Sequence, residues 1–178
     1  MRRLLLHGCL CGLTILSAAC TTASAPDSSP PAQMLLGSVG AAAYGGTTSE
    51  VIQNPELREK LPALFGADWT PASPARGQVA EGAAAFFEKG GPPQMVRVAG
   101  ADYVAVTGCV ASACRTRRVL LLIGEDGSHL LARLDAGAVT HYYTYRVGGT
   151  PLATAPAVVD AALGALRSAG DPYPSAGS

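Results

Sequence analysis

Cys109 and Cys114 are the residues of this chain best suited to do chemistry, and their spacing limits what that chemistry is. A C-x4-C pair can close a disulfide, help to hold a metal, or cycle as a redox couple. A structural zinc wants four Cys or His ligands, and no second Cys or His cluster accompanies this pair. A thioredoxin-like couple uses the tighter C-x-x-C spacing. The disulfide is the reading that needs no further ligand, only an oxidising compartment. Between the thiols lie Val110, Ala111, Ser112 and Ala113, all small or apolar. Closing so short a loop removes about 2 kcal/mol of chain entropy, so the bridge shapes the loop more than it holds up a fold. Just beyond it, Arg115, Arg117 and Arg118 form a basic cluster. The cluster reads either as a solvated strand edge or as guanidinium groups that meet carboxylates or phosphates of a partner.

Other chemistry is thin. His129 and His141 fall on expected strands, and no G-x-S-x-G or similar nucleophile context accompanies them. Glu125 and Asp126 are adjacent in a turn, so their carboxylates diverge, which is poor geometry for paired acid and base work. Gly148 and Gly149 are turn chemistry, and no phosphate-cradling glycine pattern follows a strand. The chain is therefore expected to be a binding protein and not an enzyme, with no catalytic residue, metal or cofactor. Its 13 basic and 13 acidic residues balance, so there is no global basic field of the kind that binds nucleic acid.

The N-terminus supplies the oxidising compartment. Arg2 and Arg3 precede an apolar run over residues 4–16, followed by Ser17, Ala18 and Ala19. The run is short of the ~20 residues that span a bilayer. Residues 16–20 resemble a bacterial lipobox, with Ser17 at a position where Leu is usual. In that reading residues 1–19 are a lipoprotein signal peptide and Cys20 takes the lipid. An ordinary secretory signal is the alternative. Thr21 after the lipidated position resembles the pattern of lipoproteins sent to the outer membrane, so a periplasmic, outer-membrane-anchored protein is expected. Cys9 and Cys11 leave with the signal, and Cys109 and Cys114 remain to pair.

The elements that must position the loop follow from periodicity. Residues 20–46 are rich in Thr, Ala, Ser, Pro and Gly and read as a flexible tether. Asn54 and Pro55 open a helix that carries Leu57, Leu61 and Leu64 on one face and stops at Gly66. Trp69 reads as a core anchor for that helix. Residues 78–89, with Val79, Ala83, Phe86 and Phe87, suit a second helix, although Gly82 weakens it. From Gln94 the pattern changes to that of strands, over 95–98, 103–107, 119–123, 129–134 and 139–147, joined by turns at 99–102, 125–128 and 136–137; the run 119–123 is continuously apolar and reads as a buried strand. Residues 155–169 form a last helix, and 171–178 a disordered tail. The fold class is α+β: an antiparallel sheet of about five strands, a meander, flanked by helices over residues 47–170. One sheet face is expected to be covered and the other partly exposed.

The segment GADYVAVTGCVASACRTRRVLLLIGEDGSHLLARL resembles the core of the Ivy family, the inhibitors of vertebrate lysozyme. In that family a strand carrying a Tyr leads into a C-x4-C loop, an apolar strand and a hairpin. The resemblance is strongest over residues 94–135. It implies a periplasmic protein that plugs the cleft of a c-type lysozyme with the disulfide-closed loop, whose family motif is C-K-P-H-D-C. Cys109 and Cys114 match its cysteines, and Val110, Ala111, Ser112 and Ala113 stand for Lys, Pro, His and Asp. The family His contacts catalytic carboxylates, and Ser112 brings only a hydroxyl. Losing a charge-assisted contact in a closed cleft costs about 2–5 kcal/mol, so Arg115 or Arg117 is the expected substitute cation. The implied partners are a c-type lysozyme or a lytic transglycosylase, and the membrane through the lipid anchor. A second copy of the chain stays open as a partner. The alternative is a non-inhibitory structural or assembly lipoprotein of the envelope.

Overall fold

A strand that is apolar at every position can bury both of its faces, and residues 119–123 are built that way. The computed structural model describes residues 29–71, 78–124, 126–148 and 153–174. The strands are β1 (Ala32–Met34), β2 (Lys89–Gly90), β3 (Gln94–Val98), β4 (Ala101–Cys109), β5 (Arg117–Gly124), β6 (His129–Ala136) and β7 (Val139–Arg146). They form one antiparallel sheet in the order β1-β3-β4-β5-β6-β7, with β2 lying off this path against β4. The helices are α1 (Thr48–Gln53), α2 (Lys60–Phe65) and α3 (Ala155–Ala169). The α+β class and the meander from β3 to β7 agree with the sequence reading. The strand count among the described residues is seven, because β1 and β2 add to the expected set.

Both sheet faces are covered, contrary to the expectation of one open face. Val119, Leu121 and Ile123 point to the side of α1 and α2, where Val51, Leu57, Leu61, Phe65 and Phe86 pack on them. Leu120 and Leu122 point to the other side, beneath Val159, Ala162, Leu163 and Leu166 of α3. Alternation along a single apolar strand thus seeds two cores. The β3–β4 hairpin turns on Ala99 and Gly100, whose φ values of 51° and 85° are those of a two-residue type I′ turn. The turn is shorter than expected, and Ala101 and Asp102 belong to β4. There Asp102 takes both Arg97 Nε and Nη2 hydrogen bonds, at 2.5 and 2.7 Å.

The expected helix over 54–66 is only partly regular. Asn54 caps a turn, its Oδ1 accepting the Glu56 N–H at 2.8 Å, but the regular helix is the shorter α2. Pro62 has no N–H to give the Arg58 carbonyl, which breaks a continuous ladder. Leu57, Leu61 and Leu64 are nevertheless buried together, and Trp69 stacks on Phe65 at 5.7 Å between ring centres. Before it lies α1, whose Thr47 hydroxyl accepts the Glu50 N–H at 3.2 Å while the Glu50 carboxylate accepts the Gly46 N–H at 2.7 Å. The expected helix over 78–89 is replaced by a 3-10 turn at Ala83–Phe87. Gly82 sits at φ 76°, and a Cβ there would lie 2.4 Å from the Thr70 carbonyl carbon, so the chain kinks where a helix would have run.

The tether boundary falls inside ordered structure. β1 pairs with β3, and Tyr44 is buried in the core. The start of the expected tail is ordered too: Thr107 donates to the Pro172 carbonyl at 2.7 Å, and Tyr173 is buried beside α3. The expected signal segment 1–19, Cys20, Glu125, Gly149 and residues 175–178 lie outside the described residues. Among the described residues no helix is long and apolar enough to cross a membrane.

Candidate functional site

The end of β4 is squeezed between two backbones. Gly90 of β2 lies opposite Gly108, and a Cβ on Gly108 would sit 2.4 Å from the Phe86 carbonyl oxygen. A Cβ on Gly90 would meet the Thr48 hydroxyl, which donates to the Gly91 carbonyl at 2.9 Å. Only glycine permits this approach, and it sets where the next residue, Cys109, must sit. Cys109 pairs in register with Arg118 across the hairpin. It is bonded to Cys114 with a Cα–Cα separation of 4.9 Å, and both cysteines are buried.

The seven residues between β4 and β5 fold into two consecutive turns. The Val110 N–H donates to the Arg117 carbonyl at 3.2 Å and closes the loop base. The Ala113 N–H donates to the Val110 carbonyl at 2.8 Å, and the Thr116 and Arg117 N–H groups both donate to the Ala113 carbonyl, at 3.0 and 2.9 Å. Two acidic residues from the segment before β2 hold the loop from the side. The Glu88 carboxylate accepts the Ala111 N–H at 3.4 Å, and Glu81 forms an ion pair with Arg117.

The expected contact residues separate accordingly. Ala111 and Ser112 are exposed at the tip, and Arg115 and Thr116 are exposed beside it. Val110 is instead turned into the core, only 9% exposed, and Ala113 packs against the same cluster. These two anchor the loop and offer a partner little surface. The basic cluster is divided in three. Arg115 faces solvent with no ion pair among the described residues. Arg117 is held by Glu81. Arg118, on the opposite strand face, lies 3.8 Å from Asp135 and over the Tyr173 ring at 4.8 Å. Strand alternation sends Arg117 and Arg118 apart, which the run of basic residues hides. Nothing in the sequence near Arg117 announced Glu81 as its partner.

The opposite end of the sheet carries a feature that residue types alone did not single out. Tyr103, Gly124, His129 and Arg146 form a row across four adjacent strands. The missing side chain at Gly124 opens the floor of a cavity of about 490 Å³, walled by the turns at 100–102 and 126–128. Burial, reinforced by the Arg146 guanidinium, lowers the His129 pKa against the weaker pull of Asp126, so its imidazole is neutral near pH 7. The Ser128 hydroxyl donates to the Asp126 carboxylate at 2.7 Å, so Ser128, His129 and Asp126 do not form a nucleophile–base–acid chain. His141 stands elsewhere in the sheet, opposite Leu134. Among the described residues no group of His, Cys, Asp or Glu could hold a metal ion.

No protein family, curated protein or solved structure matches this chain.

Proposed function

We propose that the chain is an exported, lipid-anchored binding protein that offers the Cys109–Cys114 loop to a protein partner. The reading rests on one observation: a short loop closed by a buried disulfide, with Ala111 and Ser112 at its exposed tip and Arg115 beside them. A loop held by a disulfide, backbone turns and two flanking carboxylates loses little freedom on binding, which favours insertion into a preformed cleft. The resemblance to the Ivy family makes the partner specific: a c-type lysozyme or a lytic transglycosylase, blocked without turnover of substrate. In that role Ser112 donates one hydrogen bond to an active-site carboxylate, and Arg115 supplies the cation that the family His would have carried. The lipid on Cys20 keeps the domain in the periplasm at the outer membrane.

The test is a cell-wall lysis assay with a hen-egg-type lysozyme and with a lytic transglycosylase. Inhibition by the oxidised protein that fades on reduction, weakens in Arg115→Ala and strengthens in Ser112→His supports the proposal. Absence of inhibition of both enzymes refutes it. The second reading, a non-inhibitory assembly protein of the envelope, is favoured by the ion pair that occupies Arg117 and by the uncharged tip. Capture of outer-membrane assembly partners together with a null lysis assay supports that reading.

A further inference from the structure

We propose that β7 pairs antiparallel with β7 of a second copy of this chain, continuing the sheet across a two-fold axis. The strand is the last in the sheet order, and no described segment pairs with its outer side. The opposite edge, β1, is only three residues long, a common way of blunting an edge. Among the described residues β7 has none of the usual protections. It runs eight residues in unbroken register with β6, so no bulge turns it away. It contains no Pro and no Lys, and Arg146 at its end is its only charged residue. The remaining positions are Val, Thr, His and Tyr, mostly strong strand formers.

The phase of the outer edge follows from one bond. The Val147 N–H donates inward to the Ser128 carbonyl at 2.9 Å. Successive residues of a strand alternate their backbone groups from side to side, so Thr140, Tyr142, Thr144 and Arg146 direct theirs outward. The exposed large apolar side chains of the described residues also concentrate here. Val139, Tyr142 and Val147, at 54%, 36% and 55% exposure, are three of five. An unpaired, apolar, uninterrupted edge is a template for another strand.

Self-pairing satisfies it in one register. With Tyr143 facing its own copy on the axis, Tyr142 meets Thr144, His141 meets Tyr145, Thr140 meets Arg146, and Val139 meets Val147. Every outward N–H then finds an outward carbonyl. No like charges face each other, the two exposed valines cover one another, and aromatic side chains pair at the centre. Shifting the axis to Tyr142 instead places Val147 opposite Gly137 in the β6–β7 turn and loses the end pairs. The strand is thus complementary to itself along its whole length, which singles out a second copy over an unrelated extended peptide.

The experiment measures the mass of the full chain by light scattering, together with oxidative cross-linking. Wild type is expected as a dimer. With Cys9, Cys11 and Cys20 changed to Ser, the Val139→Cys, Val147→Cys double variant is expected to cross-link into a dimer on oxidation, whereas either single variant is not, because 139 faces 147 and neither faces itself. Thr144→Pro removes an outward N–H without touching the bonds to β6, so it is expected to weaken dimerisation roughly tenfold or more at unchanged circular dichroism. A monomeric wild type at 100 µM overturns the proposal. So does cross-linking of the single variants at the level of the double variant, or a Thr144→Pro protein that is folded and fully dimeric.

Discussion

Reducing the Cys109–Cys114 bond breaks one covalent constraint and adds only a hydrogen to each sulfur, so it isolates what the bridge contributes. The cysteines are five positions apart, and the polymer expression for so short a loop gives about 2 kcal/mol of lost stabilisation. Most of the loop's other restraints survive reduction. The Val110 side chain stays in the core, the Val110 N–H bonds to the Arg117 carbonyl, and Glu81 and Glu88 hold the flank. The reduced protein should therefore remain folded, with a melting temperature lower by roughly 5–10 °C. Both sulfurs are buried, so reduction in the native state should be slow and is best achieved by unfolding, reducing and refolding under reductant. Urea unfolding of the oxidised and reduced forms, followed by far-ultraviolet circular dichroism, measures the difference. A loss above about 4 kcal/mol, or unfolding on reduction, would refute the view that the bridge shapes a loop on an otherwise self-sufficient domain. No change at all would show that the denatured chain is not constrained by it.

Gly108→Ala places a Cβ 2.4 Å from the Phe86 carbonyl oxygen and should cost about 1–3 kcal/mol by pushing the 3-10 turn off β4, read as a lower urea midpoint. Asp68 is buried and accepts the Gln78 and Val79 N–H groups at 2.5 and 3.1 Å and the Tyr143 hydroxyl at 3.0 Å. Asp68→Ala should cost roughly 2–4 kcal/mol, and Asp68→Asn, which keeps an acceptor, distinctly less, in the same unfolding assay. The lowered His129 pKa means that the unfolded chain takes up a proton that the folded one refuses. Stability from this group is full above its ordinary value of about 6.5 and declines as pH falls from there towards the lower folded value, levelling off below it. Unfolding measured from pH 7.5 to 5 should show that decline in wild type and a flatter profile in His129→Phe.

The meander was legible because each of its strands carries a local signal: alternation at 95–98, a continuous apolar run at 119–123, and aromatic and β-branched residues at 139–147. The cysteine pair was legible for the same reason, since its spacing and the leader-like N-terminus are local facts. What was misread depended on contacts distant in the chain. Gly82 forbids a helix because Thr70 lies against it, and β1 is a strand only because the β3 edge is there to receive it. The buried side chain of Val110 and the engagement of Arg117 by Glu81 are likewise consequences of packing. The Thr47 and Glu50 cap of α1, by contrast, was readable as a spacing and was missed.

Residue order alone determined the continuous apolar run at the heart of β5, a turn between β3 and β4, though not its length, and the pair of thiols at the hairpin end. These are properties of a few neighbouring residues, settled by backbone sterics and by which side chains avoid water. Tertiary structure decided which loop residues face outward, which arginine of the cluster has no ion pair among the described residues, and that both sheet faces are covered. Those outcomes belong to the whole molecule, because burial and ion pairing depend on what every other segment leaves uncovered.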